Sequence, residues 1–225
     1  TPLLSLMQSF RDRTAAGAGL TPFALPKSLV VEVSGPPGTG KTLLVHALAK
    51  SLGLAVLELD AQRLHDAADN DVERSVYGTL DQARLLDALA VIDGCDTLLA
   101  KGSGKVDIVQ QALQRHSGIV VLTSRDSSQL DANLDRFVVQ RLTLETPDAA
   151  DRAKIFALHL PAGVQFDPDC NVVSLAGQYH FPGALIRNAM QVAVNRAWAA
   201  NPTAPVISHS QLQKACHDQI RASLD

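Results

Sequence analysis

Gly35 to Thr42 read GPPGTGKT, and they stand between a short β-branched run at Leu29–Val33 and an apolar stretch with helical spacing at Thr42–Leu52. That order is strand, glycine-rich loop, helix. Glycines at 35, 38 and 40 let the backbone curl until several N–H groups converge on one anion, and the N-terminus of the next helix adds partial positive charge. The spacing GxxxxGK[ST] in this setting predicts a cradle for the phosphates of ATP. It is formed by Gly35, Pro36, Pro37, Gly38, Thr39, Gly40, Lys41, Thr42 and Leu43. Lys41 is placed to reach the β- and γ-phosphates, and the Thr42 hydroxyl is placed to hold Mg2+.

Outward from this stretch the alternation repeats. Ala55–Leu59, Leu89–Ile92 and Ile119–Leu122 read as strands, Val72–Leu86 and Val106–Gln114 as helices, and Arg141–Leu144 can supply a fifth strand. Strands separated by helices at this interval build crossover units, hence a parallel sheet with helices on both faces. Upstream, Leu3–Arg13 has helical spacing, and Ala15–Lys27 reads as a connector rich in Gly, Ala, Thr and Pro. After Pro147 the pattern turns helical at Ala149–Leu160, Val172–Ala176, Gly183–Ala200 and Ser208–Ser223, broken by five prolines. The expected fold is therefore an α/β three-layer domain of the P-loop NTPase type over residues 1–147, followed by a small helical subdomain over 148–225.

Composition narrows the function classes. The 225 residues exceed the roughly 100–200 usual for one domain, and 46% hydrophobic against 19% charged residues suits a buried core. A formal net charge of −3 and 4% aromatics offer neither a cationic footprint nor stacking platforms, so nucleic acid is not an expected direct partner. Cys95, Cys170 and Cys216 are odd in number and have no CxxC spacing, which points to buried free thiols in a reducing, cytoplasmic setting. No apolar run reaches membrane-spanning length and no signal pattern opens the chain. Thr1 in place of methionine is expected of a piece cut from something longer.

Several further segments, in order and spacing, resemble the AAA family of ring-forming ATPases. GPPGTGKT is the usual form of that family's phosphate loop, and ALAVIDGCDTLL at Ala88–Leu99 resembles its Walker B strand. VVLTSR at Val120–Arg125 resembles the sensor 1 strand, and LDANLDRF at Leu130–Phe137 resembles the arginine-finger segment. PDAADRAKIFALHL at Pro147–Leu160 and FPGALIRNAMQVAV at Phe181–Val194 are similar to the entry of the family's helical lid and to the lid helix with its Gly183-Ala184 pair. The resemblance implies Asp93 as the magnesium-linked aspartate and Ser124 at sensor 1. It implies Arg136 as the finger offered to a neighbour, with Arg125 and Arg141 as rivals close in sequence.

The departures matter equally. Beside Asp93 the family carries a glutamate that activates the attacking water; here the residue is Gly94. A missing base of that kind is worth about 10²–10⁴ in rate. Asp96, two positions on, matches another acid of the pattern and is the nearest stand-in. Sensor 1 is usually asparagine, and Ser124 reads either as a diminished sensor or as a satisfied strand-end hydroxyl. The pore-lining loop falls at Ala67, Ala68, Asp69 and Asn70 with no aromatic, while Tyr77 falls on the next helix as a packing residue. The seven histidines show no zinc spacing, Trp198 reads as core and Arg187 as an exposed helix residue.

Three functions compete. The first is an ATP-binding, ring-building module with weak or absent hydrolysis, in which nucleotide at a subunit junction acts as assembly glue. The second is a working AAA ATPase that remodels or disassembles protein complexes, with Asp96 or a neighbour's group as base. The third is a scaffold that has lost nucleotide. Intact Lys41 and Thr42 oppose the third, and Gly94 with the non-aromatic loop opposes the second. The resemblance implies a homo- or hetero-oligomeric ring, a catalytically active AAA module as possible partner, and a protein substrate or adaptor.

Overall fold

The structure is a computed structural model and describes residues 2–15 and 27–222. Most of the expected connector at Ala15–Lys27 lies outside the described residues. The chain divides into two compact units, Thr1–Gly35 with Lys41–Leu144, and Pro36–Gly40 with Glu145–Asp225.

The first unit is α/β and three-layered, the fold the alternation predicts. In chain order it holds α1 (Pro2–Ala15), β1 (Ser28–Ser34), α2 (Lys41–Leu52), β2 (Val56–Asp60), α3 (Asp69–Leu85), β3 (Leu89–Asp93), α4 (Val106–Arg115), β4 (Gly118–Ser124) and β5 (Val138–Thr143). All strand pairs are parallel and the sheet order is β2-β3-β4-β1-β5. Strands β1 and β4 are buried along nearly their whole length, which is why they read as continuous apolar runs rather than alternating ones. On one face Val72, Val76 and Leu80 of α3 and Val109 and Leu113 of α4 pack over Val30, Ile92 and Leu122. On the other, Met7 and Phe10 of α1 and Val45, Leu48 and Leu52 of α2 pack over Val31, Val91 and Val121. Spacings of three and four residues give each helix one such stripe.

Two segments differ from the sequence reading. Strand β5 begins three residues earlier than expected, and its pairing with β1 slips between Val30 and Val31, so that Val30 faces Val138 and Val31 faces Gln140. The bulged strand lies at the sheet edge and most of it is exposed, so it lacks the buried apolar run by which an inner strand is recognised. Helix α3 begins at Asp69, so of the four residues assigned to the pore loop only Ala67 and Ala68 precede it. Asp69 and Asp71 in its first turn complement the positive end of the helix dipole and extend it upstream.

The second unit contains α5 (Ala149–Leu158), α6 (Val172–Gln178), α7 (Gly183–Ala200) and α8 (His209–Ala222). It also holds the two-residue strands β6 (Gln165–Phe166) and β7 (Val206–Ile207), too short to carry a sequence period. Asp148 caps α5 by accepting from the Asp151 N–H at 2.8 Å, and Asn171 caps α6 by accepting from Ser174 at 2.8 Å. Phe156, Leu175, Ile186, Met190 and Leu212 form its core. Trp198 departs from the expectation of a core residue: at 44% exposure it stands on the outer side of α7.

Candidate nucleotide-binding site

Parallel strands present their carboxyl ends along one edge, and the candidate residues of the first unit gather there. Ser34 is in register with Ser124, and Asp60 with Asp93. Gly35 follows β1 directly, and its N–H donates to the Ser124 carbonyl at 3.2 Å. Its φ of 144° and the Leu144 carbonyl, 2.2 Å from where a Cβ would stand, leave no residue but glycine at this position. Lys41, the first residue of α2, donates Nζ–H to the Gly35 carbonyl at 2.6 Å, closing the loop over its own origin. Burial pulls the Lys41 ammonium below the usual lysine range, opposed by Asp96 and Asp93 and assisted by Arg125, so these four side chains share one field. Thr42 and Leu43 are exposed in the first turn of α2.

The middle of the loop belongs to the second unit. The Gly38 carbonyl accepts from the Ala184 N–H at 3.0 Å, and the Ala184 methyl lies 3.0 Å from a Cβ built on Gly38. Gly183 stands 3.6 Å from the same carbonyl by that measure. Thr39 returns its hydroxyl to the Pro36 carbonyl at 2.9 Å, leaving Pro36 and Pro37 exposed. Gly40, with φ of 100°, has open space where a side chain would be, the room an anion needs against backbone.

Asp93 ends β3 and accepts from the Thr123 hydroxyl at 2.5 Å, while that hydroxyl accepts from the Gly94 N–H at 2.9 Å. Gly94 has φ of 66°, and a Cβ on it would meet Gln62 Nε2 at 2.7 Å. The departure from the family's glutamate therefore carries its own backbone path. Asp96 accepts from the Arg125 N–H at 2.6 Å. Ser124 is fully buried and donates its hydroxyl to Glu32 at 3.2 Å. Cys95 is buried against the Thr123 carbonyl, and burial drives its thiol far above the usual range, which leaves it inert.

The three candidate finger arginines are differently engaged. Arg141 donates to Glu32 and to Asp135. Arg136 donates to Gln110 at 2.6 Å and lies 4.8 Å over the Phe137 ring. Arg125 is exposed, and among the described residues its guanidinium has no hydrogen-bond partner. Two functional-looking residues escaped the sequence reading. Glu32 sits inside an apolar strand and Gln62 in a short 3-10 turn (Gln62–Leu64), and no local motif marks either. No cluster of His, Cys, Asp or Glu suited to a resident metal occurs among the described residues.

The family model for the ATPase family associated with various cellular activities (AAA) matches residues 31–143, half of the chain. The chain belongs to the AAA ATPase family. It is 35% identical over 104 residues to the replication factor C large subunit of Methanococcus maripaludis, a match covering 44% of this chain and 21% of that protein. It is 30% identical over 148 residues to fidgetin of Danio rerio, covering 59% and 20%. With cell division protein C of Sulfolobus acidocaldarius it shares 25% over 177 residues, covering 70% and 46%. The chain spans about a fifth of the length of the replication factor C relatives it matches. No helix among the described residues is long and apolar enough to cross a membrane.

Proposed function

We propose that this chain is an ATP-binding AAA module that supports nucleotide-dependent ring assembly in the cytoplasm, with weak or absent hydrolysis. One observation carries the reading: the phosphate loop keeps its positive-φ glycines and Lys41, while the residue beside Asp93 is a left-handed glycine with no carboxylate to offer. Gly35 to Thr42 hold the phosphates, Thr42 and Asp93 hold Mg2+, and Ala184 supports the loop by donating to the Gly38 carbonyl, with Gly183 lying close against it. ATP supplies the charge that Lys41 of one protomer and Arg136 of the next both seek. Ser124, its hydroxyl spent on Glu32, contributes little to positioning water.

The test joins calorimetry of Mg-ATP binding to a single-turnover assay on the same preparation. Binding is expected, with turnover of order 10⁻³ to 10⁻¹ s⁻¹ once about 10²–10⁴ is lost from a typical ~10 s⁻¹. Turnover near ~10 s⁻¹ overturns this reading in favour of a remodelling ATPase that uses Asp96, whose carboxylate already acts on Lys41. Absence of binding leaves only the scaffold. The protein substrate or adaptor and any active AAA partner module are further parts of the proposal, approached by co-purification in the presence of ATP.

A further inference from the structure

Gly94 is not merely an absence. A Cβ at that position would stand 2.7 Å from Gln62 Nε2, 3.0 Å from its Cγ and 3.2 Å from its Cδ, so the Gln62 side chain occupies the space that a side chain at 94 would enter. The 3-10 turn that begins with Gln62 is held at both ends. At its entry the Ala61 N–H donates to the Asp93 carbonyl at 2.9 Å, and the Gln62 N–H donates to the Asp60 carboxylate at 3.1 Å. At its exit the Lys105 ammonium donates to the Leu64 carbonyl at 3.0 Å and to the His65 carbonyl. Among the described residues the Gln62 carboxamide has no hydrogen-bond partner, and the residue is exposed. It is thus an exposed polar group with unspent donors and acceptors, carried on a turn whose backbone is held, beside the aspartate that shares a field with Lys41.

The geometry points to Gln62 as the residue that orients the attacking water in this site, in place of a carboxylate at position 94. The assignment rests on the ATP-binding reading above and specifies the chemistry of its residual hydrolysis. A carboxamide oxygen accepts a hydrogen bond from water but does not take its proton, and the NH2 group donates to an anionic oxygen. Water adds to the γ-phosphorus as the bond to the β,γ-bridging oxygen breaks. That electron pair leaves with ADP, and the water proton passes to a γ-phosphate oxygen, giving ADP and inorganic phosphate. Orientation without proton removal is slow catalysis, matched to nucleotide that persists.

The test uses the full chain with Gln62→Ala and Gln62→Glu, reading Mg-ATP affinity, single-turnover hydrolysis, and affinity for ADP with aluminium fluoride, a mimic of the transferring phosphoryl group. Gln62→Ala is expected to keep ATP affinity while losing about 3–10-fold both in turnover and in affinity for the aluminium fluoride complex, one hydrogen bond's worth. Gln62→Glu, which places a carboxylate without forcing the backbone at 94, is expected to raise turnover by up to about 10²-fold, with a new dependence on a carboxylate pKa. A readout without nucleotide accompanies these: Gly94→Ala is expected to destabilise the fold less in a Gln62→Ala background than in the wild type, because the clash is with that side chain. Unchanged turnover and unchanged aluminium fluoride affinity in Gln62→Ala, with no gain in Gln62→Glu, overturn the role of Gln62 while ATP binding stands. Failure of the wild-type chain to bind Mg-ATP overturns the ATP-binding reading and this assignment together.

Discussion

Arg141 on the edge strand donates Nε–H to the carboxylate of Glu32 at 2.8 Å, across 109 positions of sequence. Glu32 is 1% exposed, in the middle of β1, and its other oxygen accepts from Ser124. The second arm of Arg141 reaches Asp135, one residue before Arg136. A buried charge is tolerable only when its oxygens are bonded, and here both are. The contact is also what engages the Ser124 hydroxyl, since a serine has only one proton to give.

Arg141→Ala therefore leaves a buried carboxylate short of its cation. Because Arg141 is itself 45% exposed, water can partly replace it, and the expected loss is that of a hydrogen bond to a charged group, about 1.5–3 kcal/mol in urea denaturation. Glu32→Gln, which keeps an acceptor for Ser124, is expected to cost less than Arg141→Ala. An Arg141→Ala variant as stable as wild type would show that the pair carries no net stabilisation.

His116 predicts an acid limb. The residue is 4% exposed, among the described residues its Nε2 has no hydrogen-bond partner, and Arg84 faces it. Burial first, then Arg84, lowers its pKa below the ordinary value, against smaller opposing contributions from Asp81 and the Leu80 backbone. Below the ordinary histidine pKa of about 6.5 the unfolded chain takes up a proton that the folded chain refuses. Stability should fall as pH drops from there and level off below the folded pKa. The check is the urea midpoint followed from pH 8 to 5: His116→Asn should lose the component that His116 contributes, and a wild-type slope unaffected by the substitution would assign the titration elsewhere.

Lys41→Ala removes the ammonium held over the loop at the Gly35 carbonyl. Mg-ATP affinity should fall by about 10–150-fold, the worth of a charge-assisted hydrogen bond, with the unfolding midpoint little changed. Calorimetry with unchanged affinity would mean that the loop does not bind phosphate through this lysine.

Arg136→Ala should weaken ATP-dependent assembly, followed by light scattering or sedimentation, without loss of ATP affinity in the monomer. The same change at Arg125 is the discriminating control, because that guanidinium is exposed and already acts on Lys41 of its own chain. Assembly lost with Arg125→Ala and kept with Arg136→Ala would move the finger to position 125.

The sequence exposed the frame of this protein where local rules suffice. The β-branched run before Gly35, the helical stripes of α2 to α4 and the loop spacing each follow from residues within a dozen positions, and the sheet is built from them. What it hid depends on distance or on edges. Glu32 reads as an intruder in an apolar strand until Arg141 arrives from β5, and Gln62 reads as an ordinary loop amide until β2 and β3 pair and set it over Gly94. The start of β5 was obscured by its exposed, bulged edge, and the pore-loop assignment was shortened by acidic residues that favour a helix N-terminus.

The strand order has a temporal meaning as well. β1 is made before the two strands that flank it, β4 and β5, whose pairing residues run from Gly118 to Thr143. At a synthesis rate of ~5–20 residues per second, β1 waits several seconds on the ribosome before either flank exists. During that wait the run from Leu29 to Val33 is an unpaired apolar segment, and Glu32 in its midst is the one charge that discourages it from joining a stranger.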